Sequence, residues 1–336
     1  MGAIWKDLFI ELTGDTADYE ILAGEEIIFK GRARISPDES SIKVHVNGAC
    51  AGYIDSYIDG FSVVTGITGV TKVVMNAYRE FSLASGGETT AFTFHNDWSY
   101  DRKRADISPQ SAPDQFGQAD LKGCISEPIS THIAPGQIIT YSYINTRASS
   151  TTIQYKETYQ SSAVLNGTSI RAGEAATLFW IPSIGIKNCW WNIAQFTYYP
   201  DQCGKRYALI YQNAYGGYDS FLLGGNCYRQ AKTTTHTYEK AFDNNIETAR
   251  GIVDYANELE HTWTCNTSWL TDEQSLLLAK HLLPSPNIYL QDIEENTITP
   301  VIITSSTYKY KTYKNEGRKI VTYQFTLTES NREHRQ

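Results

Sequence analysis

The feature that most restricts this chain is a two-residue apolar period that recurs along its length. Ile42, Val44 and Val46 alternate with Lys43, His45 and Asn47, and Phe92 and Phe94 alternate with Thr93 and His95. Near the C-terminus Val321, Tyr323, Phe325 and Leu327 repeat the pattern. Successive side chains of an extended chain point to opposite faces, so this spacing gathers apolar groups on one face of a half-buried strand. Val70 to Val74 continues the series, while Gly86-Gly87 and Ser36-Pro37-Asp38 punctuate it as turns. Tyr308 and Tyr310, the turn Lys314 to Gly317 and the Val321 run read together as a hairpin. The expected fold class is mainly β, with β-sandwich or barrel domains.

One segment departs from that period. In SWLTDEQSLLLAKHLLPSP, Thr271 is followed three residues later by Gln274 in a capping-box arrangement, Asp272 and Glu273 suit the positive end of a helix dipole, and Pro284 stops the run. A single principal helix over 271–283 is expected.

With 336 residues the chain exceeds one ordinary core, so several domains are expected. Residues 101–125 hold few large apolar residues and two prolines and read as a loop or boundary. The expected division is an N-terminal β-rich domain over 1–125, a central one over 126–234, and a C-terminal β module with one helix over 235–330. The polar tail 331–336 is expected to fray.

Tyrosine is over-represented, with 23 copies beside 12 Phe and 7 Trp. Its ring buries well while its hydroxyl reaches a polar partner, which suits pleated surfaces and interfaces. Adjacent Trp190 and Trp191 cannot enter one core if their segment is extended, so one of them should cover a second surface: another domain, a partner subunit or a ligand such as a sugar. With Tyr211, Tyr215 and Tyr218 they form the expected interface set, and Gly216-Gly217 lets the backbone turn sharply between those tyrosines.

The net charge of −8 disfavours binding along a phosphate backbone, and the basic triplet Arg102, Lys103, Arg104 reads as a solvated loop. No stretch approaches 18 apolar residues, the start MGAIWKDLFIELTGD lacks the pattern of a secretion signal, and Lys6 breaks a myristoylation motif, so no membrane anchor is expected. The cysteines at 50, 124, 189, 203, 227 and 265 contain no C-x-x-C pair, so no structural metal is expected. Reduced thiols are the simplest reading, with Cys189, Cys203 and Cys227 close enough in sequence to pair in an oxidising compartment.

Motifs for hydrolase elbows, zinc peptidases, phosphate loops and EF-hands are absent from the sequence, and the glycines of YGGYDS and LLGGN read as turns. Cys203 or Cys227 with His236 would be a nucleophile and base only if the fold joined them. Asp219 is the candidate for a glycosidase-type carboxylate pair, against the plainer reading of a turn aspartate bonding its own backbone. No enzyme activity and no cofactor are expected.

The phrases THTYEKAF (235–242), SWLTDEQSLLLAKHLLPSPNIYL and TPVIITSSTYKYKTYKNEGRKIVTYQFTLTES, together with YALIYQNAYGGYDSFLLGG (207–225) and IIFKGRARISPDESSIKVHVNG (27–48), resemble structural proteins of tailed bacteriophages and prophages. The resemblance covers about half of the chain. It implies a ring-forming or distal-tail component of the tail, neck or baseplate, assembled in the host cytoplasm into the virion, with itself and other virion proteins as partners. It further implies that 235–330 is a tail-tube-like module. The competing class is a carbohydrate-binding β-sandwich, followed by a glycoside hydrolase or depolymerase.

Overall fold

The computed structural model describes residues 2–3, 9–13, 16–36, 41–54, 69–75, 78–95, 124–130, 132–145, 148–158, 163–182, 188–191, 194–198, 206–239, 251–306, 322–330 and 333–335. The basic triplet, Cys203, and the Tyr308 to Gly317 part of the expected hairpin lie outside them.

The first stretch contributes β1 (Gly2–Ala3), β2 (Phe9–Leu12), β3 (Thr16–Ala23), β4 (Glu26–Arg34), β5 (Ile42–His45), helix α1 (Asn47–Ala51), β6 (Gly69–Met75), β7 (Tyr78–Ser85) and β8 (Glu88–His95). Next come β9 (His132–Ile133), β10 (Ile139–Ile144), β11 (Thr151–Thr158), β12 (Ala163–Ile170), β13 (Ala175–Ile181), β14 (Asn188–Trp191) and β15 (Ala194–Tyr198). The remainder holds β16 (Tyr207–Gln212), β17 (Tyr218–Leu223), β18 (Cys227–Glu239), β19 (Ile252–Asn266), helix α2 (Asp272–Leu277), β20 (Ile288–Asp292), β21 (Thr297–Ser306), β22 (Gln324–Glu329) and β23 (Glu333–Arg335).

The fold is mainly β and built of stacked sheets. Among the described residues none of them closes into a barrel. The sheet β1-β8-β7-β3-β4 and the pair β2-β5 bury Ile21, Phe81, Leu83 and Phe94 against Ile42, Val44 and Val46. Here the alternation of residues 42–46 does what its period requires. The strand ends at His45, however, and Asn47 is already the first residue of α1.

The rest of the chain is layered. The sheet β12-β11-β14-β15-β9 packs on one face of the sheet β10-β13-β6, through Ile153, Ile170, Cys189 and Trp191 against Tyr141, Leu178 and Trp180. The opposite face of β10-β13-β6, with Ile138, Ile144 and Phe179, packs on Ile210, Tyr218 and Tyr289 of a large sheet in which β23 joins the seven-strand path β17-β16-β20-β21-β22-β19-β18 as the eighth strand. That large sheet covers its far side with Leu270, Leu278 and Leu282 around the helix. Strands β10, β13, β16 and β17 therefore lie between two layers and are buried at nearly every residue. This is why AATLFWI and YALIYQ read as apolar runs and lack alternation. Each large apolar side chain fully buried there contributes about 1.5–3 kcal/mol.

Sheet pairing does not divide at residues 125 and 234. Strand β6 pairs with β13, joining residues 69–75 to 175–181, and β16 pairs with β20, joining 207–211 to 288–292. The tail also differs from its expected frayed state, since Glu333–Arg335 pairs with Asn257–Leu259 of β19.

The expected helix over 271–283 starts where its cap predicts: Thr271 Oγ1 accepts from Gln274 N at 3.2 Å, and Thr271 N donates to Gln274 Oε1 at 3.0 Å. It does not remain an α-helix. From Leu278 to Leu282 it widens into a π-helical turn, with Leu283 N donating to Leu278 O at 3.1 Å. Such turns shift the side-chain phase by one residue. Here the widened turn carries Lys280 and His281 toward the β16–β17 hairpin.

Candidate functional site

The β16–β17 connection is organised by Asn213. Its Oδ1 accepts from Tyr215 N at 2.9 Å and from Gly217 N at 3.1 Å, and its Nδ2 donates to Ile125 O and to Asp219 Oδ2, both at 2.7 Å. Gly216 adopts φ 84°, in the left-handed region. At Gly217 a Cβ would sit 2.6 Å from Ser142 Cβ and 2.9 Å from Ile125 O, so only glycine lets the strands approach this closely. Ser142 in β10 then bonds the hairpin directly, its Oγ accepting from Tyr218 N at 2.8 Å.

Asp219 is fully buried and is not a turn aspartate bonding its own backbone: it lies in β17, opposite Tyr211 of β16. Its Oδ2 accepts from Asn213 Nδ2 and from Glu127 N at 2.9 Å, while Oδ1 has no partner of ordinary hydrogen-bond geometry. Burial pushes its carboxyl above the usual range, against the lowering effect of the bonds from Asn213 and Glu127 N. Burial, with the charge of Asp219 beside it, also raises the Tyr211 phenol well above its ordinary value.

Glu127 links this hairpin to the helix. His281, fully buried, accepts at Nδ1 from Ala214 N at 3.2 Å, which leaves its proton on Nε2 to donate to Glu127 Oε2 at 3.1 Å. Lys280 Nζ lies 3.6 Å from the same oxygen, donates to the Tyr215 hydroxyl, and sits 4.7 Å from the centre of the Tyr215 ring. Burial alone would raise Glu127. Hydrogen bonds from His281 and Tyr215 and the charge of Lys280 overcome it, taking the carboxyl down to about 2. The cluster fastens the π turn, the hairpin and the segment after Cys124 to one another. With Asp219 sealed from solvent it offers no open carboxylate pair to a sugar.

Of the expected interface set, Tyr211, Tyr215, Tyr218 and Trp191 are all buried within the single chain. Tyr215 and Tyr218 pack between two sheets, and Tyr211 packs toward the helix. Trp191 sits 5.0 Å from Trp180 and 5.5 Å from Tyr141, ring centre to ring centre. Such residues have no surface left to give a partner subunit. The Trp190 side chain lies outside the described residues; its backbone pairs with Lys156 and Gln195. His236 lies far along β18 from Cys227, nine residues away on an extended strand, so those two do not form a nucleophile and base.

An open surface among the described residues is the β18–β19 ribbon. Residues Arg229 to Thr235 of β18 are exposed in succession, so neither face is covered by another layer. Beyond Asn257, among the described residues, β19 pairs only with β18, and β18 is the edge of the sheet. At about 3.3 Å per residue, the exposed run from Arg229 to Thr235 is roughly 23 Å long. Near its outer end the register shifts between His236 and Thr237, leaving Tyr255 as a bulge residue. The Tyr255 ring lies 6.0 Å from His236 and 6.3 Å from Tyr238, and Tyr238, Tyr255 and Ile252 are all about half exposed or more. A bulge re-aims a side chain, and here it gathers an aromatic patch on the exposed arm.

A second concavity, of about 550 Å³, lies on the N-terminal sheet, lined by Asp18, Tyr19, Glu20, Lys30, Gly31 and Ala84 to Gly87. Its charges are engaged with one another or with neighbours, Lys30 with Glu20 at 2.6 Å and Arg32 with Asp18 at 2.7 Å. The Tyr19 ring lies over Gly31, filling the place of the missing side chain.

Among the described residues no group of His, Cys, Asp and Glu is arranged to hold a metal ion, and no helix is long and apolar enough to cross a membrane. No protein-family model matches the chain, and no curated protein matches it.

Proposed function

We propose that this chain is a bacteriophage virion structural protein, a ring-forming component of the tail, neck or baseplate that assembles through protein–protein contacts and has no catalytic role. The observation that carries this reading is the outer end of the ribbon, where His236–Glu239 and Ile252–Ala256 pair with no third strand among the described residues and β18 is the open edge. A lone two-stranded hairpin is marginally stable in water, and an open edge strand is a template for pairing with another chain. The ribbon here keeps both liabilities and adds the aromatic patch of Tyr238 and Tyr255, residues of the type that anchors interfaces. A ribbon that docks on a different surface of an identical copy makes a heterologous contact, which closes into a ring when the rotation allows. The net charge of −8 suits a lumen through which DNA passes without adhering.

The carbohydrate-binding alternative has less support, because the charges beside Tyr19 are already engaged and its ring covers glycine. Multi-angle light scattering with negative-stain imaging of the purified chain tests the proposal. Closed rings of one mass are expected. A monodisperse monomer at high concentration that also captures glycans on an array overturns it.

A further inference from the structure

Cys227 and Cys265 begin and nearly end the ribbon, and they face each other across the β18–β19 ladder. Asn266 donates to Asn226 O and accepts from Gly225 N, both at 3.0 Å, so the backbone of Asn266 is turned toward β18. Hydrogen-bonded and non-hydrogen-bonded positions alternate in an antiparallel pair, which makes Cys227 and Cys265 a non-hydrogen-bonded pair, with side chains at their closest approach. Opposed residues in either kind of pair have Cα separations inside the range a disulfide bridges. The two thiols are unequal: Cys265 is fully buried beside Trp263 and Phe325, and Cys227 is partly exposed. Cys227 is therefore the thiol that a dissolved reagent can reach and the attacking group, while the neighbouring Cys227 and then burial push the Cys265 thiol up.

We propose that Cys227 and Cys265 are a redox-active dithiol that closes into a cross-strand disulfide by exchange with a low-molecular-weight disulfide, clamping the root of the ribbon. The Cys227 thiolate attacks one sulfur of the reagent, the reagent S–S bond breaks, and one small thiol leaves. Cys265 then gives up its proton and attacks Cys227 Sγ, the mixed disulfide breaks, and the second small thiol leaves. Two protein thiols are oxidised and one reagent disulfide is reduced to two thiols. The product closes the whole ribbon into one covalent loop and fixes its register. A role in assembly rests on the reading of the ribbon given above; the thiol chemistry does not.

The test uses the full chain, reduced, freed of reductant and incubated with oxidised glutathione, then acid-quenched, alkylated and mapped by mass spectrometry. The expected result is a peptide joining Cys227 to Cys265, with Cys50, Cys124 and Cys189 still reduced and a higher urea midpoint for the oxidised protein. Cys265→Ser should stop at one glutathione on Cys227, and Cys227→Ser should leave Cys265 reduced. If Cys265→Ser does not fold, the wild-type map alone decides. Cys227 and Cys265 both remaining reduced, or a bridge from Cys227 to Cys203, overturns the proposal. A chain that forms the expected bridge but never self-associates upholds the dithiol and overturns the assembly reading.

Discussion

Replacing Glu127 with glutamine removes the charge that joins helix to hairpin while keeping an oxygen for His281 Nε2–H. In the folded protein the Glu127 carboxyl lies at about 2, against an ordinary value of 4.5. A group held below its unfolded value contributes stability that is fully present above about pH 4.5 and lost as pH falls toward 2. The difference of about 2.5 pH units corresponds to about 3 kcal/mol at pH 7, falling to about 1.4 kcal/mol at pH 3. Glu127→Gln should therefore destabilise by about 3 kcal/mol at pH 7 and by roughly half that or less at pH 3. Urea unfolding of both proteins at the two pH values, followed by tryptophan fluorescence, measures the difference directly. Equal destabilisation at both pH values would refute the assignment of Glu127 as the charged centre of the cluster.

Trp191→Ala and Tyr218→Ala should each cost about 3–5 kcal/mol by differential scanning calorimetry and lower folding and assembly together, because both side chains are buried within the chain. Thr271→Ala removes the cap from Gln274 N and should cost about 1 kcal/mol, read from the urea midpoint, with Thr271→Ser restoring most of it. Gly217→Ala places a Cβ against Ser142 and the Ile125 carbonyl and should cost about 1–3 kcal/mol, with chemical-shift changes confined to the seam between β10 and β17.

How much of this was legible in the sequence follows from what each residue buries. The alternation of residues 42–46 was readable because one face is buried and the other wet. The strands between two layers appeared as apolar runs, whose period carries no information about their neighbours. Nearly all of β18, RQAKTTTHTYE, lacks an apolar period because neither face is covered, so its strand character was invisible to pattern. Thr271 and Gln274 announced the helix start through a local reciprocal bond. The π turn did not announce itself, since the leucine runs on either side of Ala279–His281 in LLLAKHLL give no clear phase.

The expected interface set rests on the tendency of aromatic residues on strands to seek a surface to cover. Within this chain those surfaces are the facing sheets, and only long-range pairing reveals that. The same limit hid Glu127 and His281, which meet across a sequence separation of 154. Asn213, ahead of AYGG, was the one member of the cluster with a local signal: an asparagine at a glycine turn commonly bonds the backbone beyond it.

If the exposed ribbon joins this chain to its copies, as proposed, a Tyr238→Ala, Tyr255→Ala double variant should separate assembly from folding. Both rings stand about half exposed and bury no core, so the melting temperature should stay within a few degrees of the unaltered protein. Interface aromatics of this kind typically cost about 2 kcal/mol or more each on truncation, a shift of well over tenfold in association. Sedimentation velocity of the two proteins at matched concentration should show a large closed oligomer for the unaltered chain and a folded monomer for the variant. An unaltered chain that sediments as a monomer, or a variant that assembles equally well, would overturn the assembly role of the ribbon.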